Sequence, residues 1–245
     1  MNKDILLLTG WGATCTIWEP IIPALSDGCQ INCVIPSWHK DSQLEGSLRD
    51  VDGYIEKIAA TLSMPINIVA WSMGGLLAIK LATRFPELVE NICFISSVPR
   101  FVSAENKNAG IDYQWFNHFL DQYQSQPVAT LNKFLTLQVT NDASARACLR
   151  FLKKACDFER YDLVECGVGL TLLQQLDLSE QLTLLKCKTS FIHGSSDAVV
   201  NVPSVQYAAY ISNSPLSIIS DAGHTPHISQ PDVVARIIKT YLYNE

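Results

Sequence analysis

Three short stretches of this 245-residue chain carry side-chain types that together could transfer an acyl group. The first runs Ile66-Asn67-Ile68-Val69-Ala70-Trp71-Ser72-Met73-Gly74-Gly75, an apolar run that leads into a serine among small residues and then into a helical pattern. A strand that turns sharply into a helix lifts a serine hydroxyl clear of the backbone, and small neighbours let the two elements approach; the usual form is Gly-x-Ser-x-Gly. Ala70 stands at the first glycine position and keeps the small size. Taken alone, Ser72 among glycines is equally an ordinary turn. The second stretch, His193-Gly194-Ser195-Ser196-Asp197-Ala198-Val199-Val200, puts an aspartate on a loop after a strand, where it could fix the tautomer of an imidazole or merely cap a turn. The third, Asp221-Ala222-Gly223-His224-Thr225-Pro226-His227, offers His224 for proton transfer, with His227 as a rival or as a cap for the next segment.

In combination these stretches say more. Serine, aspartate and histidine occur in that order, each just past the C-terminal end of an expected strand, where parallel sheets bind ligands. The expected triad is Ser72 as nucleophile, His224 as base and Asp197 as the group that orients the base. Thr9-Gly10-Trp11-Gly12 follows the first strand, where this arrangement takes one oxyanion-hole N–H; the second comes from the residue after the nucleophile. Trp11 and Met73 are the expected donors, each worth roughly 10²–10³ in rate.

Positioning these residues requires an α/β architecture. Ile5-Leu8, Ile31-Ile35, Ile66-Ala70, Ile92-Ser96, Thr189-His193 and Leu216-Ser220 read as short buried strands. Val51-Leu62, Met73-Phe85, Ser204-Ile211 and Val233-Tyr243 show helical periodicity between them, which predicts a mostly parallel sheet flanked by helices, the α/β-hydrolase fold. The alternation stops between Pro99 and Leu185, where Tyr113-Gln124, Val128-Val139, Ala143-Cys156 and Leu163-Leu176 all read as helices. We therefore expect a core of residues 1–98 and 186–245, with a helical cap, 99–185, inserted between two strands.

The composition sets further bounds. A net charge of -6 argues against general nucleic-acid binding, and 48% hydrophobic residues suffice for a large core. No apolar run has the length of a signal-peptide core or a membrane span, so a cytoplasmic location without membrane attachment is expected. The eight cysteines include no Cys-x-x-Cys pair and no zinc-finger spacing; they are expected to be free thiols in a reducing compartment, with Cys15, just after the glycine loop, the exception to watch. Residues 129–154 hold Lys133, Arg146, Arg150, Lys153 and Lys154 against the single acid Asp142. Arg146 and Arg150 lie one helical turn apart, and this basic stretch could steer an acidic partner or could be a solvated helix face.

Taken together the chain resembles the pimeloyl-acyl carrier protein methyl ester esterases of biotin synthesis, the BioH type. The resemblance lies in Gly10-Trp11-Gly12, Trp71-Ser72-Met73-Gly74-Gly75, Ser96-Ser97-Val98-Pro99 with Phe101, Phe134-Leu135-Thr136-Leu137-Gln138, and Gly223-His224-Thr225-Pro226-His227-Ile228-Ser229. Thr9 stands where that family usually has histidine, and the N-terminal hairpin common in this fold is expected to be missing. The resemblance implies hydrolysis of a methyl ester at the far end of a pimeloyl chain through an acyl-enzyme, without metal or organic cofactor. It implies substrate contacts from Trp11, Ser72, Met73, Phe134, Leu135, Thr136, Leu137, Gln138 and His224. Phe134, Leu135 and Leu137 could equally pack the cap. Lys133, Arg146 and Arg150 would dock the acidic acyl carrier protein, and Ala129 replaces a further family arginine. The enzyme is expected to act as a monomer. The alternatives are a broad short-chain carboxylesterase with no carrier partner, and a hydrolase-fold protein that binds a small ligand.

Overall fold

A computed structural model describes residues 4–26, 29–34, 37–40, 42, 47–103 and 110–243. The chain runs β1 (Ile5–Leu8), α1 (Ile22–Leu25), β2 (Ile31–Cys33), α2 (Val51–Ala60), β3 (Ile66–Trp71), α3 (Gly74–Arg84) and β4 (Val89–Ile95). Four longer helices follow, α4 (Tyr113–Ser125), α5 (Pro127–Gln138), α6 (Ala145–Ala155) and α7 (Leu163–Gln175), and then the short α8 (Ser179–Thr183). The chain returns through β5 (Lys188–Gly194), α9 (Val202–Ile211), β6 (Leu216–Ile219), α10 (Pro226–Ser229) and α11 (Pro231–Tyr243). Of the expected second strand, Ile35 lies outside the described residues.

The six strands form one sheet in the order β2-β1-β3-β4-β5-β6, and every neighbouring pair is parallel. Strands buried on both faces cannot alternate polar with apolar, which is why β1 reads as a continuous apolar run and β3 as one broken only at Asn67, and both are buried throughout. Two apolar clusters cover the faces. One includes Leu8, Ala70, Leu76 and Phe94, and the other Leu7, Val69, Trp71 and Ile192. Strand order reverses between β1 and β3, and the crevice beyond the C-terminal ends of strands at such a reversal is where open α/β sheets take ligands. Leu8 pairs with Ala70, so the glycine loop after β1 and the serine turn after β3 leave the sheet side by side.

One expectation fails. Cys15 and Cys33 form a disulfide, with Cα atoms 5.9 Å apart; among the described cysteines Cys29, Cys93, Cys148, Cys156, Cys166 and Cys187 are free. The segment after the glycine loop folds back onto the end of the adjacent strand β2, and this brings together two cysteines 18 residues apart. Short-range cysteine spacing carries no trace of such a contact. No helix among the described residues is long and apolar enough to cross a membrane.

Candidate active site

Ser72 occupies the turn between β3 and α3 with φ of +53°, a left-handed conformation that costs a non-glycine residue on the order of 1–3 kcal/mol. Its surroundings hold it there. Its N–H donates to Ile95 C=O at 3.0 Å, and its C=O accepts from Gly75 N–H at 2.9 Å and from the Ser97 hydroxyl at 2.7 Å. The helix must start hard against β1: a Cβ on Gly74 would lie 2.4 Å from Leu8 C=O.

His224 follows β6 and is fully buried. Its Nε2 lies 2.9 Å from Ser72 Oγ, and its Nδ1 lies 2.8 Å from Asp197 Oδ2. With Nδ1–H donating to the carboxylate, Nε2 is free to accept the serine proton. The Trp71 indole N–H donates to His224 C=O at 2.9 Å, so the residue before the serine also holds the histidine backbone.

The side chain of Asp197 has no exposure. Its Oδ1 accepts from the N–H groups of Val199 (2.8 Å) and Val200 (2.9 Å), which leaves Oδ2 for the imidazole. Burial alone would raise this carboxyl's pKa, but the charge and hydrogen bond of His224, the charge of His193 and the Val200 N–H outweigh it and hold the pKa below its ordinary value. His193 stands 3.6 Å from Asp197 and donates from Nε2 to Val200 C=O at 3.0 Å; burial pushes its own pKa down. His227, the rival base, lies instead between Trp18 and Trp71, with ring centroids 4.8 and 5.1 Å away. Neither of its nitrogens has a hydrogen-bond partner among the described residues, and burial pushes its pKa down to about 3.

Trp11 and Met73 are both buried, each three residues past a paired position of β1 or β3. The glycine loop is pinned from outside the sheet. Trp11 Nε1–H donates to Cys166 C=O on α7 (2.8 Å), the Tyr161 hydroxyl to Gly12 C=O (3.1 Å), and Trp38 Nε1–H to Ala13 C=O (3.2 Å).

Beside Ser72 lies a cavity whose other walls are apolar: Trp11, Phe101, Ile111, Trp115, Phe116, Phe119, Phe134, Leu170, Leu173 and Val199. Of the substrate contacts expected on α5, only Phe134 reaches it. Leu135 packs into the cluster on the opposite face with Val69 and Trp71, and Leu137 is half-buried. Thr136 is exposed and its hydroxyl donates to Asn132 C=O at 3.4 Å. Five consecutive helical residues sweep more than one turn, so they cannot share a face. Gln138 is buried and meets the site through its backbone, accepting from His224 N–H at 2.8 Å. The sequence marks Trp115, Phe116, Phe119, Leu170 and Leu173 only by apolar periodicity on α4 and α7. Lys133, Arg146 and Arg150 are exposed and do not line this cavity. No group of three or more His, Cys, Asp or Glu side chains among the described residues could hold a metal ion.

The alpha/beta hydrolase fold family matches residues 4–231. The chain is similar to the pimeloyl-[acyl-carrier protein] methyl ester esterase of Aromatoleum aromaticum, with 29% identity over 98% of this chain and 98% of that protein. It is 28% identical to the protein of the same name from Aliivibrio salmonicida, over 100% of this chain and 94% of that one. A solved hydrolase from Oleispira antarctica superposes with a TM-score of 0.85 at 16% identity, covering 100% of this chain and 92% of that chain, a likeness of fold.

Proposed function

The chain belongs to the alpha/beta hydrolase fold family, and from that premise we propose that it is a serine carboxylesterase that hydrolyses the methyl ester of pimeloyl-acyl carrier protein. The reading rests on the unbroken hydrogen-bonded path from Ser72 through His224 to Asp197, opening onto a cavity with otherwise apolar walls. The names of the similar esterases support the particular substrate.

The hydroxyl of Ser72 attacks the ester carbonyl as His224 Nε2 takes its proton, and Asp197 stabilises the resulting imidazolium. The N–H groups of Trp11 and Met73 hold the oxyanion as it forms. Collapse expels methanol, which takes its proton from His224. A water then gives a proton to His224 and attacks the acyl-enzyme, freeing the acid and restoring Ser72. The methylenes of the acyl chain suit the aromatic walls, which have no polar group to orient a charged substrate.

A carrier partner finds support on the cap. Asp142 is buried, so it leaves Lys133, Arg146, Arg150, Lys153 and Lys154 as exposed cations with no exposed acid between residues 129 and 154. Such a surface suits an acidic protein, and its attraction weakens as salt rises.

Ser72→Ala tests the chemistry: turnover of the carrier-bound ester is expected to vanish while circular dichroism stays native, and retained turnover in a clean preparation would remove Ser72 from its role. Arg146→Glu combined with Arg150→Glu tests the partner. We expect kcat/KM on the carrier-bound ester to fall by about tenfold or more at low salt, the loss shrinking at high salt, with p-nitrophenyl acetate spared. Equal rates on the carrier-bound ester before and after the charge reversal would favour a broad carboxylesterase without a carrier partner.

A further inference from the structure

In the sequence, Asp142 is only a minor offset in a basic stretch. Its place in the fold is unlike that of its neighbours. The residue is 6% exposed, and both carboxylate oxygens are engaged by backbone N–H groups: Oδ1 by Ser144 at 2.7 Å and Oδ2 by Gly223 at 2.7 Å. The first bond is local, the ordinary turn chemistry of an aspartate before a helix. The second crosses 81 residues to the position immediately before His224.

Two backbone bonds flank it. Ala143 N–H donates to Asp221 C=O at 2.8 Å, and His224 N–H donates to Gln138 C=O at 2.8 Å. The link between α5 and α6 therefore grips the histidine loop at Asp221, Gly223 and His224. Asn141 and Asp221, one on each side of this contact, both have left-handed φ, +63° and +58°. Non-glycine residues hold that conformation only where their surroundings determine it. The approach is close enough that a Cβ on Gly223 would lie 2.7 Å from Gln138 C=O and 3.4 Å from Asp142 Cβ. Gly223 does not itself need positive φ, so the constraint there is one of space.

We propose that Asp142 is a positioning residue for the reaction: its carboxylate fixes the loop that carries His224, so that the cap and the base are held as one unit. This rests on His224 acting as the base, as proposed above. Asp197 sets the tautomer and ring orientation of the imidazole. Asp142, together with Gln138 C=O, sets where the backbone presents that ring to Ser72. A charged acceptor suits the position because two backbone donors converge on it, and the charge strengthens both bonds. An asparagine has one acceptor oxygen and must turn its amide N–H groups toward one of the two donors.

The test compares Asp142→Ala, Asp142→Asn, Gly223→Ala and Ser72→Ala with the parent enzyme on p-nitrophenyl acetate, an ester small enough to need little of the cap cavity. Rates of the variants that keep Ser72 are normalised to sites labelled to completion by a fluorophosphonate, which corrects for unfolded protein, and Ser72→Ala is measured per total protein. For Asp142→Ala we expect kcat to fall by about 10- to 100-fold with KM little changed, the loss that a small misplacement of reacting groups produces. Asp142→Asn should fall between it and the parent. Gly223→Ala, which leaves the carboxylate in place but pushes the loops apart, should share the kcat effect. In the proton NMR spectrum the low-field His224 Nδ1–H resonance should shift or broaden in all three, a signature that mere loss of stability does not produce. If Asp142→Ala does not fold, Asp142→Asn and Gly223→Ala carry the same readouts. Unchanged kcat per labelled site and an unchanged resonance, with Ser72→Ala inactive, would overturn the role of Asp142 and leave the esterase reading standing. Turnover by Ser72→Ala would instead overturn the esterase reading, and this one with it.

Discussion

The rim of the sheet and the helical segment above it build one site by opposite means. On the rim, Ser72, Asp197 and His224 are each held by several hydrogen bonds, and Ser72 is kept in a strained backbone conformation. Over them, α4, α5 and α7 offer rings and alkyl chains whose mutual contacts are nearly all apolar: Phe134 meets Trp11 and Phe119 at centroid distances of 5.1 and 6.0 Å. Proton transfer demands atoms placed to a fraction of an ångström, whereas burying methylenes demands only volume and the absence of unpaired polar groups. Under the proposed function, the rim carries the chemistry and the roof the choice of substrate. Substitutions in the two regions should therefore fail in different ways.

The largest effect is expected on the rim, from Asp197→Asn. Val199 and Val200 N–H groups would keep the side-chain oxygen where Oδ1 now lies and turn the amide toward His224 Nδ1. The imidazole would then carry its proton on Nε2, facing Ser72, and could not accept another. A fall in kcat of about 10³- to 10⁴-fold with native circular dichroism is the expected result, the size that a wrong tautomer produces in such triads. A loss confined to KM would show that Asp197 does not orient the base.

The same contrast governs what could be read from the sequence. β1 and β3 were legible because strands buried on both faces are nearly all apolar, and Ser72, Asp197 and His224 stood out because each follows an expected strand. The roof was legible only as helices. Periodicity on α4 marks Phe116 and Phe119 as facing inward but does not tell a packed interior from a wall facing a cavity. The run Phe134 to Gln138 looked like a single lining; helical geometry splits it, with Phe134 at the cavity, Leu135 on the other cluster and Thr136 in solvent. Other long-range contacts left no mark. Nothing near Cys15 points to Cys33, and nothing near Asp142 points to Gly223.

In the roof, Trp115 gives the cleanest test. It is 45% exposed and stacks on Phe119 with ring centroids 5.5 Å apart at 10°, so its removal should cost little stability. Trp115→Ala takes away one wall of the cavity while leaving every triad hydrogen bond in place. We expect the ratio of kcat/KM on p-nitrophenyl octanoate to that on the acetate to fall by about tenfold, the worth of roughly one to two methylenes in an apolar pocket. If both esters lost rate equally, the division between a chemical rim and a selective roof would break down.

The smallest effect on turnover, and the most informative about the floor beneath the rim, is expected from His227→Phe. His227 keeps an imidazole with two unpartnered nitrogens between Trp18 and Trp71, and burial lowers its pKa from 6.5 to about 3. Between those values the unfolded chain binds a proton that the folded chain refuses. Stability therefore falls as pH drops through that window, at up to about 1.4 kcal/mol per pH unit. His193, whose pKa is also lowered by burial, adds to the loss in the same direction. Asp197 acts lower on the scale: its depressed pKa contributes stability that is present above 3.8 and is lost as pH falls through its folded value. Phenylalanine offers the two tryptophans a ring that never charges. Between pH 7 and 4 the melting temperature of His227→Phe should decline less steeply than that of the parent, with turnover at neutral pH little changed. Parallel melting curves would mean that His227 gains a proton in the folded protein as readily as in the unfolded one, and a lost turnover would mean that the ring reaches the chemistry after all.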